Sequence, residues 1–342
     1  LCLYTEPAFT DERSSMALRI PFLAYIAVAS WHFIPLCAGL LKQRTEHTAS
    51  RSVGPGPPPY PRIDVSIPNT IFLAGPWSPE DMIQKNVQFV PDGTEFRYYD
   101  YDQVDQSAKE ISDSLESAGV PGAYAALQKL RPWAFRIDLW RYMKLWANGG
   151  YYVDAKMLLR RNLSTWVDAS NNGNFVACKS HLRLEGKPPY QNTVLAARPK
   201  EPILLDAIRN VVANVESHWY GPPSLDRPWL YITGPGALSR AIDDRSFQPR
   251  ANCEWFLEQA VDHGEQIDGR IVQQPGNTTL MVWDTFIHQN MRSCSVCNSY
   301  EDLFAAHAIY CDEKVPPGFG DDPCLRRFSS ILDGKDYWSI IK

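Results

Sequence analysis

The chain has 342 residues, enough for one large domain or two ordinary ones with a substantial core. Its 44% hydrophobic and 21% charged content excludes a disordered chain. A net charge of −5, with no basic run interleaved with aromatics, gives no sign of a nucleic-acid-binding surface.

Residues 1–16 read as a cytoplasmic tail or as sequence upstream of a true start at Met16. Ile20 to Leu41 is apolar apart from Ser30 and His32, long enough to cross a bilayer core of about 30 Å as a helix. Residues 17–41 are therefore expected to be a signal-anchor transmembrane helix, with a cleaved signal peptide ending near Ala38 as the alternative. Either reading sends the remainder into the secretory pathway. Residues 42–62 follow, and Gly54 to Pro61 reads GPGPPPYP, a semi-rigid spacer suited to a stem. A single folded domain is expected over residues 63–342.

Within that domain, Ser66 to Ala74 looks like a loop feeding a first strand. A helix is predicted from about Pro79 to Lys85, a strand over Glu95–Tyr99 and a helix over Gln103–Ala118. A longer helix is expected from Trp133 to Asn148, then a short strand ending at Asp154. Phe175–Cys178 and Tyr190–Ala197 read as buried strands, and Glu201–Val215 as a helix. Thr233-Gly234-Pro235 is a turn opening a further helix. Strands alternating with helices imply an α/β domain with a mostly parallel central sheet.

Two features fit a luminal setting. Asn162-Leu163-Ser164 and Asn277-Thr278-Thr279 are glycosylation acceptors. Six cysteines lie beyond the apolar segment: Cys178, Cys253, Cys294, Cys297, Cys311 and Cys324. An even number suits disulfides, with fifteen possible pairings, and a zinc site on the last four is the alternative.

The run from Arg136 to Leu159, RIDLWRYMKLWANGGYYVDAKMLL, carries the most information. Asp138 and Arg141 are three apart and share one helix face. Gly149-Gly150 ends the helix, since glycine accepts the left-handed conformation of a C-terminal cap. Tyr151-Tyr152-Val153 favours a strand and delivers Asp154 to its carboxyl end, where open α/β sheets bind ligands.

This pattern resembles the glycosyltransferase family with a DXD-containing sugar-binding region, which includes fungal initiating α-1,6-mannosyltransferases and sphingolipid mannosyltransferases. Asp138, Arg141, Gly149, Gly150, Tyr152 and Asp154 fall on the family spacing without a gap, but Lys156 stands where the second DXD aspartate belongs. The Ile67-Pro68 opening, the strand containing Asn192 and the Thr233-Gly234-Pro235 turn resemble the family too. The resemblance implies a GT-A-like domain in a type II Golgi membrane protein, or a secreted one. Its activity would be transfer of a hexose from a UDP- or GDP-sugar to a glycan or glycolipid hydroxyl, with retained anomeric configuration.

The resemblance also assigns roles. Asp138, Arg141 and Lys156 would act in catalysis; Asp138, Arg141, Tyr152, Asp154 and Asn192 would bind the donor. A divalent cation, Mn²⁺ by the family pattern, would sit on Asp154 with His307 as a second ligand. Trp338 is a candidate to lie over the donor. Lys156 complicates the metal, because an ammonium has donors only. It can pair with the diphosphate in the metal's place. Alternatively the metal is held by Asp154 with His307 or Asp312. The third reading is an inactive luminal protein that keeps nucleotide-sugar or carbohydrate binding.

Overall fold

A computed structural model describes residues 66–75, 80–163, 174–180, 184, 189–222, 224–245, 253–256, 260–262, 265–273, 278–284 and 300–314. All fall within one unit, Ile63–Lys342. The expected anchor (17–41) and stem (42–62) lie outside the described residues, as do Asn277, Cys294, Cys297, Cys324 and Trp338. Among the described residues no helix is long and apolar enough to cross a membrane.

In chain order the elements are β1 (Thr70–Ala74), α1 (Glu80–Asn86), β2 (Glu95–Tyr99), α2 (Tyr101–Ser117), α3 (Ala123–Lys129), α4 (Trp133–Asn148), β3 (Gly150–Val153) and β4 (Met157–Leu159). There follow β5 (Phe175–Ser180), β6 (Tyr190–Ala197), α5 (Pro202–Glu216) and α6 (Pro235–Asp244). The last are β7 (Cys253–Phe256), β8 (Ala260–Asp262), β9 (Glu265–Gln273), β10 (Thr278–Asp284) and α7 (Tyr300–Ala305). The strands form a single sheet in the order β2-β1-β3-β6-β5-β7-β9-β10-β4, with β8 beside β9.

The sheet is mixed, which corrects the mostly parallel expectation. Among the described residues, only β1 with β2, β1 with β3 and β5 with β7 run parallel. The other six pairings are antiparallel. The reason lies in the connections. A parallel neighbour needs a crossover of a dozen or more residues, and only nine separate β5 from β6.

Alternation along the central strands fixes two apolar layers. Phe72, Tyr152, Phe175, Ala177, Leu195 and Ala197 face the helices, joining Leu139, Trp140 and Met143 of α4 and Ile208 and Val211 of α5 in one core. Their neighbours Ile71, Leu73, Tyr151, Val153, Val176, Cys178, Val194 and Ala196 point the other way into a second core. Successive strand residues point to opposite faces, and here both faces are covered, so these strands read as continuous apolar runs. Cys178 is disulfide-bonded to Cys253 across the parallel β5–β7 pair, closing 75 residues of sequence. Cys311 is also disulfide-bonded, which removes it from the tetrad considered for zinc.

Candidate functional site

The site is built on α4, β3 and the turn that follows. Helix α4 is buried nearly all round, with Trp133, Leu139, Trp140, Tyr142, Met143, Leu145 and Trp146 inside. It packs against α2 and α5. A helix this thoroughly covered holds its polar side chains in fixed places. Gly149 ends it with φ 66°, its N–H donating to the carbonyl of Leu145 at 2.7 Å. A Cβ at Gly149 would stand 2.5 Å from Cδ of Pro199, and one at Gly150 (φ 101°) 2.6 Å from the carbonyl oxygen of Thr70. Only glycine satisfies both the positive φ and the close approach.

Strand β3 runs between β1 and β6, so Asp154 emerges on the same edge as the carboxyl end of β1. Its N–H donates to Thr193 of β6 at 2.9 Å. Met157 N–H then donates to the Asp154 carbonyl at 2.9 Å, closing a turn over Asp154-Ala155-Lys156-Met157. Ala155 lies beside Gly75, the residue after β1, at van der Waals distance from where a Cβ there would be.

Five of the side chains singled out from the sequence converge. Arg141 pairs with Asp138 Oδ1 at 3.0 Å and with Asp154 Oδ1 at 3.3 Å. It also donates to the Asn192 carbonyl at 2.5 Å and lies over the Tyr152 ring, 4.2 Å from its centroid. Tyr152 donates its hydroxyl hydrogen to Asp154 Oδ1 at 2.9 Å. Asn192 Nδ2 donates to Asp138 Oδ1 at 2.8 Å and to the Tyr142 hydroxyl at 3.1 Å. Thr233, from the Thr-Gly-Pro turn, donates to Asp138 Oδ2 at 2.9 Å. The Arg141 side chain is 6% exposed, against 14% for Asp138 and 18% for Asp154, so the carboxylates are the network's accessible end.

Burial and charge pull against each other here. Burial pushes the Asp138 carboxyl above the ordinary carboxylate range, against the opposing pull of Arg141 and the hydrogen bonds from Thr233 and Asn192. Burial works to lower the Arg141 guanidinium, but Tyr152, Asp154 and Asp138 outweigh it and hold the group above its usual value. Burial likewise raises the hydroxyls of Tyr142 and Tyr152. Arg141 is therefore a permanent cation, and both tyrosines are hydroxyl donors.

Residues 80–172 match the family model of the glycosyltransferase sugar-binding region containing a DXD motif. The match holds Asp138, Arg141, Tyr152, Asp154 and Lys156, while Asn192, Thr233 and His307 lie beyond it. Among solved structures, "PaToxG Glycosyltransferase" is 13% identical, with a TM-score of 0.32 over 52% of this chain and 70% of that one. The UDP-bound glycosyltransferase domain from the YGT toxin is 11% identical, with a TM-score of 0.27. Its ligand-free form, at the same identity, scores 0.30. This chain spans about half of the YGT structures, 51%, while 45% of its own length is covered. Those likenesses are too slight to carry chemistry from those proteins to this one. No curated protein sequence matches.

Lys156 and His307 stand in different surroundings. Lys156, two residues past Asp154, bends back so that Nζ lies 3.8 Å from Asp154 Oδ2 and 4.1 Å from the centroid of the Trp283 ring on β10. His307 lies at a helix end. It sits just after α7 with φ 51°, its N–H donating to Phe304 and the next N–H, of Ala308, to Leu303. That is the Schellman ending of a helix, with His307 in the position glycine usually fills. Its ring packs on Tyr220, centroids 4.4 Å apart, and Asp312, the other candidate, pairs with His218 at 2.9 Å. The whole segment is fastened by buried Arg131, which donates to the carbonyls of Ala308, Tyr310 and Glu313. Arg131 precedes α4, whereas Arg141 lies more than two turns along it.

The described residues do not fit a divalent cation on Asp154. No group of three or more His, Cys, Asp or Glu side chains among them can surround an ion. Asp154 Oδ1 is taken by Arg141 and Tyr152, and Oδ2 faces the Lys156 ammonium.

Sequence reasoning missed three supporting residues. Tyr142 bridges Asn192 and the Gly234 carbonyl. Buried Asn86 of α1 donates to the Met157 carbonyl at 3.0 Å and accepts from Leu159 N–H at 2.8 Å, tying down β4 right after the turn. Trp283 carries Lys156. Tyr142 was findable, being one residue from Arg141 and four from Asp138, but Asn86 and Trp283 gave no local signal.

Proposed function

We propose that the chain is a nucleotide-sugar-dependent hexosyltransferase with a GT-A-like domain over residues 63–342. Residues 17–41 and the stem would hold that domain on the luminal side of a Golgi or other secretory membrane. The donor is a UDP- or GDP-hexose, the acceptor a hydroxyl on a glycan or glycolipid, and the anomeric configuration is retained. The observation that carries this reading is the junction of Asp138, Arg141 and Asp154 through one guanidinium, with Asn192 and Tyr152 locking it. The family match over residues 80–172 supports it, and the Cys178–Cys253 disulfide supports an oxidising compartment.

The chemistry is bond exchange at one carbon. The bond from the anomeric carbon to the β-phosphate oxygen breaks, and its electron pair leaves on the nucleoside diphosphate. The acceptor oxygen bonds to that carbon, and its proton passes to the departing phosphate or to water. Catalysis of such a transfer rests on positioning and on charge placed where the leaving group becomes more negative. The Asp138 and Asp154 carboxylates accept hydrogen bonds from hydroxyls of the donor's sugars. Arg141 pairs with both of them and keeps them aimed.

The test is hydrolysis and transfer by the full chain with UDP-glucose, UDP-galactose, UDP-GlcNAc and GDP-mannose, analysed by chromatography. One donor should yield nucleoside diphosphate and free hexose, with the rate falling on the order of 10²-fold in Asp154→Asn. The proton NMR coupling of the first-formed anomer reads the stereochemistry. Binding of a donor with no turnover in any condition would replace the transferase by the inactive binding protein, and no binding of any donor would end the reading.

A further inference from the structure

We propose that Lys156 stands in the place of the divalent cation, meeting the donor's diphosphate as a fixed point charge, so that donor binding needs no metal. This rests on the nucleotide-sugar reading of the site and adds what neutralises the phosphates there.

The first support is a charge count over four side chains. An aspartate at position 156 would set three carboxylates (with Asp138 and Asp154) against the single guanidinium of Arg141. That arrangement leaves two negative charges, which is what a divalent cation cancels. With Lys156, two carboxylates face two cations, 3.0, 3.3 and 3.8 Å apart in the three pairs, and these four charges sum to zero. A dication brought to Asp154 would have to approach both an ammonium and a guanidinium. Like charges at such separations repel strongly in a partly buried site.

The second support is that Lys156 is held. The turn is closed by the Met157 N–H to Asp154 carbonyl bond, and β4 behind it is pinned by Asn86 and paired with β10. The ammonium lies over the face of Trp283, 4.1 Å from the ring centroid, and the ring attracts it. The side chain is 18% exposed, the same as Asp154, so the charge is sheltered without being sealed off. A positioned charge needs no reorganisation when the leaving phosphate becomes more negative.

The experiment is calorimetric titration of the full chain with UDP and GDP, in EDTA and in Mn²⁺, with uridine and guanosine beside them. The wild type is expected to bind one nucleoside diphosphate with the same affinity, within about twofold, in both conditions. Lys156→Met keeps an unbranched side chain of similar length and removes the charge. It should weaken binding in EDTA about tenfold or more, leave nucleoside binding unchanged and leave the melting temperature near wild type. Lys156→Arg should restore most of the affinity. Lys156→Asp should bind poorly in EDTA and recover with Mn²⁺. Wild-type binding that requires Mn²⁺, or Lys156→Met binding in EDTA as tightly as wild type, would overturn the lysine's role while leaving the donor site standing. Absence of nucleoside diphosphate binding in every condition would remove both. Should Lys156→Met melt early, the comparison of EDTA with Mn²⁺ on the wild-type chain still decides.

Discussion

On the β2-β1-β3-β6 side of the sheet, the site residues are held by one another: Asp138, Arg141, Tyr152, Asp154, Asn192 and Thr233 form a closed set of hydrogen bonds and ion pairs. Lys156, where β4 joins the β9-β10 side, is tied to that set by its ion pair with Asp154. It is positioned as well from outside, by the Trp283 ring under its ammonium and by Asn86 bonding the backbone of β4. The turn from Asp154 to Met157 joins the two. A residue in the closed set cannot change without stranding several partners, whereas a change at position 156 takes from that set the ion pair to Asp154. That difference explains how the chain can keep the family's pattern through Asp154 and depart from it two residues later.

The comparison is broken most severely at Arg141. Arg141→Ala leaves the Asp138 and Asp154 carboxylates without their shared cation, and should cost about 3–5 kcal/mol of stability, measured by denaturant unfolding. A loss below about 1 kcal/mol would show that the set is not closed. Asn86→Ala probes the other side. It strips the Met157 carbonyl and the Leu159 N–H of their partner and should cost about 1–3 kcal/mol. Because it loosens the turn behind Lys156, it should also weaken nucleoside diphosphate binding, whereas equal binding would put the turn's rigidity elsewhere.

The smallest effect is a pH slope, and it sharpens the contrast. Burial raises the Asp138 carboxyl above its unfolded value, so the folded chain binds that proton more tightly than the unfolded chain. Its contribution to stability is therefore fully present below the unfolded pKa and is lost as pH rises through the folded one. Donor binding should run the other way, since protonation removes Asp138 from Arg141. Unfolding midpoints across the carboxylate range should show this slope in the wild type and lose it in Asp138→Asn. The same slope in both would assign it to another group.

Most of the closed set was legible because its determinants are local. The α4 helix begins and ends where the sequence places it, and β2 and β6 match their expected bounds. The others shift by a residue or two, as α2 does, starting at Tyr101 where the Asp100 side chain caps it in a capping box with Gln103. The three-residue spacing of Asp138 and Arg141 and the glycine pair are likewise local. The short α3 was not foreseen; its left-handed Gly122 N-cap and seven residues give little periodic signal. The antiparallel strands β7 to β10 were missed for another reason. They are short or bulged: β9 and β10 shift register at two places. A polar residue such as Arg270 sits between buried ones there, so no continuous apolar run marks them. The Lys156–Trp283 contact spans more than a hundred residues, and only the β4–β10 pairing, Met157 opposite Trp283, brings it about. At His307 the histidine's chemistry is visible in sequence and its left-handed backbone is not.

Backbone and proline atoms lie where any side chain at Gly149 or Gly150 would have to go, so folding alone requires glycine at both positions. A chain of this fold without any catalytic activity would need them just as much. The pair therefore reports on how the segment folds, and what the segment does is written in the polar side chains on either side of it.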